Sequence, residues 1–149
     1  MKHFKLFFAL FAMLALGVGN AWAETVTMTA GTNGSTCTVN GIDGIKVGTS
    51  SKGGDMTITV PAGATSLQLY AAAWKGVSGL SINITPTTNV SPTSISLTAD
   101  NGITSNSPFT LSGNAESFKH EIALSNITSA TTLTLASSTT KRFVVWGAT

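Results

Sequence analysis

The sequence predicts an all-β fold, an antiparallel two-sheet β-sandwich, behind a short leader. Three observations predict it. About a third of the residues from Glu24 onward are Ser or Thr, a composition that favours strands and turns over helices. Apolar residues recur at every second position in short runs, and no stretch carries a helical period. The intervening positions are mostly Thr, Ser, Asn or Lys, the pattern of sheets with one face in a core and the other in water.

The leader comes first. Lys2 and Lys5 precede an uncharged apolar run from Leu6 to Val18, and Ala21, Trp22 and Ala23 close it with an A-x-A site. This is the pattern of a helical signal peptide, residues 1–23. The run is shorter than the roughly 20 residues that span a bilayer, and no later segment is long enough to stop transfer, so no membrane span is expected after cleavage. No Cys stands directly after the cleavage site, which argues against a lipid anchor of the usual kind. The expectation is a protein that is secreted, at the cell surface or in the periplasm, with residues 24–149 forming one domain of ordinary size.

The elements follow in order. Val26 and Met28 alternate in the first strand. In TCTVN the sole cysteine, Cys37, shares parity with Val39; it has no partner for an intramolecular disulfide, and free Cys is among the most often buried residue types, so it reads as core. Ile45 and Val47 mark the next strand, GTSSKGGD reads as a hairpin closure, and Met56, Ile58 and Val60 mark the strand after it. VPAGAT turns the chain into LQLYAAAWKG. Leu80, Ile82 and Ile84, then Ile95 and Leu97, alternate around the loop TPTTNVSPTS, and the loop ADNGITSNSPF follows. Phe118, His120, Ile122 and Leu124 share one parity, as do Leu133 and Leu135, and KRFVVWGAT ends the chain. Roughly ten short strands at ~8 to 12 residue spacing suggest a sandwich of jelly-roll type. No internal repeat is evident.

Charge and chemistry narrow the function. After residue 23 there are six basic and six acidic side chains, so the basic field that nucleic acid or anionic lipid requires is missing. One His and one Cys make no zinc site. A serine triad would need His120, whose parity points it inward, and no closely spaced carboxylate pair suits glycoside hydrolysis. Phosphate-cradling glycine motifs are absent. The expectation is therefore a non-enzyme without a cofactor. Structural calcium stays open, because GIDG and TADNG each place an Asp beside Gly and calcium accepts backbone carbonyls; Asp100 and Asn101 equally suit turn hydrogen bonds.

What remains is aromatic. Counting by twos along residues 67–76 puts Leu67, Leu69, Ala71 and Ala73 on one side and Gln68, Tyr70, Ala72 and Trp74 on the other. The last strand repeats this, with Arg142, Val144 and Trp146 opposed to Lys141, Phe143 and Val145. Were Gln68, Tyr70, Trp74, Arg142 and Trp146 to face the same way in the open, flat rings would meet the apolar faces of sugars while the amide and guanidinium met their hydroxyls. Two or three rings at ~2.5 kcal/mol each, set against the cost of association, give weak binding with Kd of ~0.1 to 10 mM. The competing reading is that a loop or the chain end covers these rings.

GIKVGTSSKGGDMTITVPAGATSLQLYAAAWKG and IALSNITSATTLTLASSTTKRFVVWGA resemble the small jelly-roll, galactose-binding-like modules of secreted proteins from gut and oral Bacteroidetes, and the leader ending GVGNAWA is similar to theirs. The likeness covers nearly all of residues 24–149. It implies a two-sheet sandwich with carbohydrate as ligand. Such modules commonly accompany an enzyme or another domain, whereas here the module stands alone, which weighs against an accessory role. Two functions follow as expectations: a non-catalytic carbohydrate-binding module using the five residues named above, or a structural or protein-interaction module of a surface assembly.

Overall fold

A computed structural model describes residues 25–74, 77, 79–97, 103, 108–109, 111 and 115–149; the expected signal peptide and TADNG, residues 98–102, lie outside them. The described residues form eleven strands: β1 Thr27–Ala30, β2 Gly34–Val39, β3 Ile42–Val47, β4 Asp55–Val60, β5 Ser66–Ala73, β6 Leu80–Thr85, β7 Val90–Ser91, β8 Ser94–Leu97, β9 Lys119–Leu124, β10 Thr131–Ser137 and β11 Phe143–Trp146. A single 3-10 turn, Ala115–Phe118, precedes β9. The strands make a sandwich of two antiparallel sheets, a first of order β1-β4-β10-β6-β8 and a second of order β2-β3-β11-β5-β9-β7. The all-β, two-sheet fold class is as the alternation predicts.

From β4 to β11 every strand lies in the opposite sheet from its predecessor. Only β2 and β3 form a hairpin, closed by Asn40 and Gly41 with φ of 49° and 80°; two consecutive positive φ values define the tight turn whose twist matches its strands, and Asn-Gly adopts it readily. GTSSKGGD, expected to close a hairpin, instead carries the chain from β3 across to β4 in the other sheet. There the Thr49 hydroxyl accepts the Lys52 N–H at 3.1 Å, a local bond that replaces a ladder. Asp55 fastens the neighbouring crossover from β1 to β2: its carboxylate accepts the Thr32 N–H and its own N–H donates to the Thr32 carbonyl, both at 3.0 Å.

Between the sheets lies the main core, to which Met56, Ile58 and Val60 of β4, Leu67 and Leu69 of β5, Ile82 of β6 and Leu133 and Leu135 of β10 contribute fully buried side chains. Burying such side chains is the dominant favourable term in folding. The outward face of the first sheet is wet, with Thr27, Thr59 and Thr132 side by side across three strands and the Thr59 and Thr132 hydroxyls 3.0 Å apart. The second sheet departs from this pattern. All four residues of β11, Phe143–Trp146, are buried, as are Ala71, Ala72 and Ala73 of β5, because this sheet is covered on both faces.

Candidate functional site

The outward face of the second sheet holds the residues singled out from the sequence. Register sets them in rows. Tyr70 of β5 lies opposite Trp146 of β11, which lies opposite Gly44 of β3, which lies opposite Cys37 of β2. The next row along carries Ala72, Val144, Lys46 and Ser35. Beyond it Trp74 donates its backbone N–H to the Arg142 carbonyl at 3.1 Å. At the other end Gln68 exchanges two backbone hydrogen bonds with Thr149, at 2.8 and 2.9 Å. Two residues, Gly147 and Ala148, therefore oppose Leu69 alone, a β-bulge whose first residue is a glycine at φ 59°.

All five expected residues share this face, but Ile103, Phe109 and Leu111, the described residues of a strap between β8 and β9, lie against it. Ile103 bridges to Trp74 and donates its N–H to the Ala73 carbonyl at 2.9 Å. Phe109 bridges to Val39, exchanging hydrogen bonds with Thr38 and Asn40 at 2.8 and 2.9 Å, and Leu111 donates its N–H to the Asn40 side chain at 3.2 Å. Ile103, Phe109 and Phe118 then form a second core with Cys37, Val39, Ala72, Val144 and Trp146, against which Tyr70, Trp74 and Leu111 pack.

Trp146 retains 3% of its surface. It stacks on Tyr70 with ring centroids 5.8 Å apart and planes 22° from parallel, and meets Phe118 at 5.7 Å. It presents no face to a ligand, which corrects the expectation of an open platform built on both indoles. The reason is elementary: the strap's apolar side chains and the rings gain more by burying one another than by staying in water. Trp74 is half-buried. Phe109 meets it edge-on at 5.6 Å, and the Arg142 guanidinium carbon lies 4.2 Å above its ring, within cation–π range. Tyr70, Gln68 and Arg142 are likewise half-buried. The set thus divides into an enclosed Trp146 and four partly open residues, Gln68, Tyr70, Trp74 and Arg142.

The groups with acid–base or nucleophilic chemistry are dispersed. Cys37 belongs to the second core, and burial pushes its thiol up from 9.0 to about 11, with Lys46 nearby drawing it part of the way back. His120 lies across from Leu69 on the core side of the sheet, and burial lowers its pKa below the usual 6.5. The two occupy opposite faces of one sheet. Phe118 does not share the inward face with His120, because β9 begins only at Lys119 and strand parity does not reach back into the 3-10 turn. Asp43, one of the calcium candidates, sits within β3 opposite Thr38 rather than in a loop. Among the described residues, no three His, Cys, Asp or Glu side chains gather as a metal site.

One feature the alternation did not reveal is a cleft of about 500 Å³ between β1 and the β2–β3 hairpin, lined by Val26, Met28, Thr36, Cys37, Asp43 and Ile45. Nor did the sequence single out Ile103, Phe109 and Leu111; three large apolar side chains in an otherwise polar loop are the signal that could have. A scan against models of known protein families finds no match for this chain, and a search of curated proteins finds none either.

Proposed function

We propose that the chain is an exported, non-catalytic β-sandwich that serves as a structural or protein-interaction module of a surface assembly. One observation carries this reading: the side chains best suited to hold a small ligand are spent on a second core, with Trp146 enclosed at 3% exposure. The leader pattern supports export to the surface, periplasm or medium. The repeated switching of strands between sheets supports jelly-roll topology, and with it the galactose-binding-like resemblance. No helix among the described residues is long and apolar enough to cross a membrane.

A second reading, weak glycan binding, is favoured by one specific contact, the guanidinium of Arg142 held against the half-exposed indole of Trp74. Binding of that kind is confined to this corner of the face rather than spread over five residues. Sedimentation across a range of protein concentrations, beside a polysaccharide panel followed by Trp fluorescence, separates the two. The structural reading expects concentration-dependent association, weakened by Ile42→Glu at the large apolar side chain that is 47% exposed. A saturable response lost in Trp74→Ala, with a monomer at every concentration, overturns it in favour of glycan.

A further inference from the structure

Near-neutral total charge conceals a local separation. Lys46 and Arg142 share one face where β3 ends and β11 begins, with the Lys52 backbone at its border. Lys46 lies opposite Val144, so Arg142, two residues earlier on the same face, is its diagonal neighbour at roughly 7–8 Å across the strands. Gly48 separates Arg142 from the Lys52 backbone so narrowly that a Cβ there would stand 3.2 Å from the Arg142 Cγ and 3.1 Å from the Lys52 carbonyl oxygen. Among the described residues neither Lys46 nor Arg142 has a carboxylate within ion-pair distance, whereas Lys119 pairs with Glu116 at 3.8 Å elsewhere.

The position of Arg142 gives this patch its chemistry. Its guanidinium carbon sits 4.2 Å over the indole ring, and the group carries its N–H donors as a planar fork. Such a fork suits a carboxylate or sulfate, which it takes through two parallel hydrogen bonds. The contact with the indole also removes rotamer freedom before any ligand arrives, so less ordering remains to be done on binding. We propose that Trp74, Arg142 and Lys46 form a recognition site for an acidic polysaccharide, the indole edge meeting a sugar ring and the two cations meeting its carboxylate or sulfate groups. This rests on the second reading above, whose ligand class it specifies.

The test titrates the purified protein with polygalacturonate, dextran sulfate, neutral dextran and duplex DNA, following Trp fluorescence at low and at physiological salt. Saturable binding of one or both acidic polysaccharides is expected, weakening several-fold as salt rises. Neutral dextran and DNA should bind at least tenfold more weakly. Arg142→Gln and Lys46→Gln should each lower affinity for the acidic polymer, Arg142 by tenfold or more. Arg142→Lys, which keeps the charge but loses the planar fork, should recover only part of the loss. Lys119→Gln, a remote charge deletion, should change affinity less than twofold. The unfolding midpoint of each variant separates lost binding from lost structure. Equal response to neutral and acidic dextrans overturns the acidic specificity and leaves glycan binding standing. Tight binding to DNA marks a nonspecific polyanion surface and overturns the proposal, and silence toward every polymer removes this inference and the second reading together.

Discussion

Trp146 of β11 stacks on Tyr70 of β5 directly across the strand pair, ring centroids 5.8 Å apart, and Phe118 closes over the indole from the end of the 3-10 turn before β9. The stack is a packing unit of the second core. Trp146→Ala should cost about 3–5 kcal/mol, the usual range for deleting a large buried aromatic, and urea unfolding measures it. A variant unfolding within about 0.5 kcal/mol of the parent would mean that the strap leaves the indole accessible, contrary to the enclosed position found here.

Glycine shapes the floor beneath that stack. Gly44 lies opposite Trp146, and a Cβ there would come within 2.7 Å of the Val145 carbonyl oxygen and 2.9 Å of the Trp146 Cβ. Both obstacles are fixed to the backbone of a central strand. Gly44→Ala should therefore destabilise by about 1–3 kcal/mol, as overpacking does, although alanine ordinarily suits a strand better than glycine. Gly41→Ala is a useful contrast, because its Cβ would meet nothing within 4 Å and the penalty there comes only from a φ of 80°. Near-UV circular dichroism should change in the first variant, where the indole is displaced, and not in the second.

These residues also show how far the sequence could be read. Alternation located the strands of the first sheet because a face in core and a face in water write a period of two. It could not show that the chain switches sheets at nearly every step, since side-chain parity says nothing about which strand is the neighbour. Asn40–Gly41, which the sequence reading did not single out, closes the β2–β3 hairpin, while GTSSKGGD, richer in turn residues, proved to be a crossover. At the candidate site, parity set Tyr70 with Trp74 and Arg142 with Trp146, and the strand register brings the two sets to one face. Exposure was not legible, because the cover comes from Ile103, Phe109 and Phe118, scattered through a segment with no period of its own.

Cys37 gives a readout of that cover. Its buried thiol titrates at about 11 instead of 9.0, so at pH 8 the folded protein should react with a disulfide reagent at least about a hundredfold more slowly than the urea-unfolded chain. The linkage has a definite sign. The unfolded thiol loses its proton near pH 9, while the folded one keeps it until about pH 11; stability from this group is complete below pH 9 and declines as pH rises between these values. Cys37→Ala should reduce the alkaline decline of the urea midpoint relative to the parent. Rapid labelling of the native protein would show that the second core opens readily at β2.

His120 carries the opposite dependence. It lies half-buried across from Leu69 and borders a small cavity of about 50 Å³ shared with Ala71, Leu97 and Phe118. Desolvation disfavours the imidazolium and lowers its pKa from 6.5. Lys119 and Glu121, its neighbours on β9, point to the other side of the sheet, so burial dominates. Below pH 6.5 the unfolded chain takes up a proton that the folded protein resists until its lowered pKa is reached. Stability is therefore complete above 6.5 and falls as pH drops through that window. The urea midpoint of the parent should decline between roughly pH 7 and 5, before most carboxylates titrate, and His120→Gln should flatten the decline while leaving the midpoint at pH 8 within about 1 kcal/mol. Equal slopes in the two proteins would mean that the imidazole meets water freely in the folded state.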